Sequence, residues 1–94
     1  MQWWKEFESL NLYGGNSFYI GNDLEDMIEI SYPDGMFIDI GKSEEDSIYY
    51  ITVLSSNNRL GWQNPLSVVS VSERALLYSE IQETIKKYRE NFID

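Results

Sequence analysis

The chain contains no cysteine and no histidine. Within it, disulfides, thiol nucleophiles, thiolate zinc sites and imidazole acid–base chemistry are therefore all excluded. Proline is limited to Pro33 and Pro65, and no internal repeat or low-complexity segment is present. No apolar run approaches the roughly 18 residues of a membrane span. The opening MQWWKEFESL has no basic region, long apolar stretch or small-residue cleavage site of a signal peptide. These features predict a cytoplasmic protein that does not engage a membrane.

Positive charge is also scarce, and unevenly so. Residues 1–58 hold eleven acids against Lys5 and Lys42, whereas residues 59–94 hold five of each sign, so the whole net charge of −9 belongs to the first part. A field of that sign repels nucleic acid and steers cationic proteins towards the surface that carries it.

What is present is enough for one core. Ninety-four residues, 43% hydrophobic and 15% aromatic, predict a single domain over 1–94 that folds without staples. Trp3, Trp4, Phe7 and Leu10 recur at helical spacing, which predicts a short amphipathic N-terminal helix ended by Gly14-Gly15-Asn16. The SFYIGND stretch reads as a brief strand and a turn. From Met27 to Tyr32 the residues alternate, with Ile28, Ile30 and Tyr32 on one face and Met27, Glu29 and Ser31 on the other.

Tyr32-Pro33-Asp34-Gly35 supplies a proline and a glycine where a bulged hairpin loop needs them. The return strand, Met36 to Ile40, puts Met36, Ile38 and Ile40 on one face, and Phe37 and Asp39 on the other. Gly41 to Asp46 is a polar connector. SIYYITVL, residues 47–54, suits a central strand. After the turn-rich SSNNRLGWQNP, residues 66–71 form a fourth strand or an extended lead-in. Leu77, Ile81, Ile85, Tyr88 and Phe92 then mark a long helix, with Leu76 and Thr84 beside the stripe. Its start is open between Ser72 as N-cap, with a Val71–Leu76 staple, and a Ser70/Glu73 capping box. Lys86, Lys87 and Arg89 complement the helix dipole at its far end. The expected fold is α+β: a short N-terminal helix, an antiparallel meander of three to five strands, and a long C-terminal helix, with the helices covering one face.

Carboxylates are the main candidates for function. Glu29 and Asp39 flank each other if the hairpin is tight, but half-exposed sheets alternate in this way without any chemistry, and no nucleophile motif accompanies them. The clusters Asp23, Glu25, Asp26 and Glu44, Glu45, Asp46 lack the spacing of a calcium loop, so no dedicated metal and no cofactor is expected. A docking surface accounts for them better. Both clusters precede strands, which puts them at one end of the meander, with Asp39 near the second. Phe37 and Trp62, and one of Tyr49 and Tyr50 with Tyr13 as a neighbour, are candidate aromatic anchors.

SYPDGMFIDIG, then YYITVL, the GWQNPL loop and a C-terminal helix resemble the layout of small immunity proteins that protect bacteria from their own polymorphic or contact-dependent toxins. The resemblance implies a non-enzymatic chain that binds and blocks a toxin domain, often a cationic nuclease. The partner-binding residues expected from charge and pattern are Asp23, Glu25, Asp26, Phe37, Asp39, Glu44, Glu45, Asp46 and Trp62. The chain itself is expected to be a monomer or a weak homodimer. Alternative readings are a phage-type nucleic-acid mimic that inhibits a DNA-binding enzyme, a small hydrolase using Glu29 and Asp39, and a structural adaptor that recruits a strand to a sheet edge.

Overall fold

The structure, a computed structural model, describes residues 4–20, 27–55 and 64–90. Five strands form one antiparallel meander in sequence order: β1 (Asn16–Tyr19), β2 (Ile28–Ser31), β3 (Phe37–Lys42), β4 (Tyr49–Leu54) and β5 (Ser67–Val71). A 3-10 helix (Lys5–Ser9) precedes the sheet, and the helix α1 (Leu77–Arg89) follows it. The α+β architecture expected from the pattern is the observed one, and residues 66–71 resolve as a strand. Among the described residues, no helix is long and apolar enough to cross a membrane.

The β2–β3 hairpin forms where its sequence dictates. Gly35 takes φ 95° and its N–H donates to the Tyr32 carbonyl (2.9 Å), while Asp34 Oδ1 accepts from the Met36 N–H (3.1 Å). The register that follows pairs Ile28 with Ile40, Glu29 with Asp39 and Ile30 with Ile38. β3 runs two residues further than its alternation predicts, because Gly41 and Lys42 still pair with Tyr50 and Tyr49.

Strand alternation sends Ile28, Ile30, Ile38, Ile40, Ile51 and Val53 to one face, all with no exposed surface. Leu77, Ile81 and Ile85 of α1 and Phe7 of the 3-10 helix close over them in the same cluster. Met27, expected on the Glu29 face, is buried in this cluster instead. It lies just before β2, tied by its N–H to the Ile40 carbonyl (2.9 Å), and strand alternation does not govern it there.

Three details of the helices depart from expectation. The N-terminal segment is a 3-10 helix of five residues with Phe7 alone buried within it, while Trp4 stacks on Tyr19 at 6.5 Å. Neither Ser72 nor Ser70 caps α1. Val71 is still paired with Tyr49 and the chain stays extended through Glu73, so a 3-10 turn (Arg74–Leu76) starts the helix. Leu76 is 47% exposed and makes no staple. Thr84 is buried as its place beside the stripe suggests, and Phe92 lies outside the described residues.

Arg89 does more than complement the dipole. It is 4% exposed, and its guanidinium donates to Asp34 Oδ2 (2.9 Å) and lies over the Tyr32 ring, 4.1 Å from its centroid. The C-terminal end of α1 is thereby fastened to the hairpin turn. Tyr32 also lies close to Gly15, and its hydroxyl has no hydrogen-bond partner. Burial pushes that phenol up to about 12, against the opposing pull of Arg89.

Candidate functional site

The face opposite the helices mixes polar and apolar residues: Asn16, Glu29, Ser31, Asp39, Thr52 and Ser70 share it with Phe18, Phe37 and Val68, while Ser17 and Ser67 stand on the helix side. Strand pairing aligns Phe18, Glu29, Asp39, Thr52 and Val68 in one row across all five strands. Glu29, Asp39 and Thr52 are half-buried in the middle, whereas Phe18 and Val68 at the two edges are 60% and 54% exposed. Directly opposed side chains on a sheet have Cβ atoms roughly 4.5–5.5 Å apart. The row is therefore a central pair of carboxylates with an apolar residue standing clear at each end.

Beside this row, towards the hairpin, Asn16, Ser31, Phe37 and Leu54 form a second one. Glu29, Ser31, Phe37 and Leu54, with Tyr32, Gly35 and Met36 of the hairpin, line a concavity of about 400 Å³. On the far side lie Gly41, Tyr50 and Ser70.

The expected docking residues separate into two places. Phe37 and Asp39 are on the open face, as their alternation requires. Glu44 and Glu45 are exposed in the β3–β4 turn with Asp46. Asp39 was expected close to that cluster, but it stands in mid-strand, three residues and about 10 Å before Lys42. Asp23, Glu25, Asp26 and Trp62 lie outside the described residues.

Asp46 has a role of its own within the turn. Its Oδ1 accepts from the Ile48 N–H (3.0 Å) and its Oδ2 from the Tyr50 hydroxyl (3.1 Å). The Ile48 amide, aided by Ser43 and Tyr50, lowers the Asp46 pKa below its ordinary value, and the Tyr50 hydroxyl's bond to Asp46 raises that of Tyr50. Ser47 holds φ 59° to close the turn. Tyr50 is thus the member of the Tyr49–Tyr50 pair beside the acids, while Tyr49 is buried and Tyr13 packs against the core. Among the described residues no three carboxylates converge as a multivalent metal site would need.

Sequence reasoning did not single out Phe18 and Val68, since each was read within a short apolar run. Their signal is positional: it emerges once β1 is paired with β2, and β5 with β4. No protein-family model matches the chain, and neither a curated protein nor a solved structure is significantly similar to it.

Proposed function

We propose that this chain is a cytoplasmic protein-binding inhibitor, an immunity-type protein that neutralises a cationic, nuclease-like toxin domain through its acidic surface. The observation that carries this reading is the open-face row, in which Glu29 and Asp39 are bracketed by exposed Phe18 and Val68. The net charge of −9, all of it from residues 1–58, supports it. Acidic residues accelerate encounter with a cationic surface, and an exposed aromatic at the margin supplies an anchor that only the docked state buries. Glu44 and Glu45 add to steering from the end of the sheet, and the carboxylates take the place that substrate phosphates would occupy.

The test mixes this chain with the product of the gene adjacent to its own and follows association by stopped flow at increasing salt; a basic product that binds is expected. The association rate should fall steeply with ionic strength. Glu29→Gln should lower the rate and flatten that dependence, and Phe18→Ala should act mainly on dissociation. Association that is indifferent to salt would remove acidic docking as the mechanism.

A further inference from the structure

β5 ends the sheet. Its inner edge is paired with β4, and among the described residues no strand pairs with its outer edge. An edge strand presents a row of backbone N–H and C=O groups, and folded proteins normally guard such a row with charge, proline or a bulge. From Leu66 to Val71 there is no charged residue and no proline. Leu66 and Val68 lie on one side of it, 51% and 54% exposed.

We infer that two copies of this chain pair β5 against β5, antiparallel about a two-fold axis, to make one continuous ten-stranded sheet. An antiparallel edge is self-complementary, so the same strand supplies both halves of the seam. The pairing satisfies the outward backbone groups and brings the exposed Leu66 and Val68 of both copies to the seam.

Electrostatics selects this edge over β1, whose NSFY sequence is also uncharged. Joining β1 to β1 would put the two copies of Glu29 three strand spacings apart, about 14 Å. Joining β5 to β5 puts the two copies of Asp39 five spacings apart, about 24 Å, and those of Glu29 further still. At low ionic strength, where the Debye length is about 30 Å at 0.01 M, the closer pair repels the more strongly, whereas at physiological salt, about 8 Å, both separations are largely screened. Residues 59–94, which include β5, also carry no net charge. A five-residue seam falls short of the roughly 1,200 Å² of a standard stable interface, so the dimer is weak and depends on concentration. Screening of the residual repulsion makes it stronger at high salt, the opposite of docking to a cationic partner.

Sedimentation of the full chain, over about a hundredfold range of concentration and at low and high salt, tests this. The average mass should climb from 11.0 kDa towards twice that value, and climb further at high salt. Val68→Glu should hold it at the monomer value, while Phe18→Glu, with the same change in net charge, should leave the curve unchanged. Ser70→Glu, on the same edge, replaces Val68→Glu if circular dichroism shows that variant unfolded. The inference is overturned by a monomeric mass throughout, by association that salt weakens, or by loss with Phe18→Glu but not with folded edge-β5 variants.

Discussion

Ile38 and Asp39 are neighbours in β3, yet one has no exposed surface beneath two helices while the other is half-buried on the opposite face. The same five strands thus present a sealed side and an open side. The difference teaches that stability and recognition are divided by strand parity: what α1 and the 3-10 helix cover holds the fold, and what they leave uncovered is free to vary with a partner.

The most direct way to break that comparison is truncation on each side. Ile38→Ala should cost about 2–5 kcal/mol, the range for emptying a packed aliphatic site. Thr52→Ala on the open face should stay within about 0.5 kcal/mol. Urea denaturation of the two variants measures both, and equal losses would mean that the open face is packed as well.

Gly15→Ala should come next. A Cβ at this position would stand 2.7 Å from Tyr32 Cε1 and 3.0 Å from Ile30 Cγ2. Tyr32 is buried and carries Arg89 over its ring, so overpacking should cost about 1–3 kcal/mol. At Gly14 there is open space, but φ is 91°, so any loss from alanine there would come from backbone strain alone.

Asp34→Asn sharpens the comparison through pH. The Arg89 guanidinium, with the Met36 amide, holds the Asp34 carboxyl below its ordinary value. A depressed folded-state pKa gives stability that is present above the unfolded value near 3.8 and disappears as pH falls through the folded one. The variant should therefore be less stable than the parent at neutral pH and converge with it in acid. Urea midpoints across the acid range would show the convergence, and a gap independent of pH would rule out the ion pair as its source.

Tyr32→Phe should also have a small effect, because the lost hydroxyl has no partner. The change should be neutral or slightly stabilising, by up to about 1 kcal/mol. A phenol raised to about 12 in the fold contributes stability that is full below pH 10 and lost as pH rises from 10 to 12. The variant should lack that portion of the alkaline decline, which thermal melts at high pH can follow.

Much of this was legible in the sequence because it is local. The YPDG turn, the alternation through residues 27–40 and the stripe of Leu77, Ile81 and Ile85 each depend on neighbours a few positions away. The Glu29–Asp39 opposition followed directly from the turn. What escaped depends on contacts between distant parts. Arg89 looked like a surface charge because nothing near residue 89 reveals that Asp34 and Tyr32 wait for it. The start of α1 was misjudged because Ser72 has the chemistry of a cap, while the β4 ladder holds the preceding chain extended. For the site, Phe37 and Asp39 could be assigned to a face, but the Phe18 and Val68 brackets required strand order.

The bond between Arg89 and Asp34 joins residues 55 positions apart, whereas every strand in the meander pairs with its immediate successor. Loop closure of that length is entropically costly before other contacts form, so the strands can assemble hairpin by hairpin while this contact is still unmade. Its place is then on the native side of the folding barrier. Weakening it should speed unfolding and leave the folding rate nearly unchanged. The clasp at the end of α1 therefore acts as a brake on opening, setting how long the folded chain lasts more than how fast it arrives.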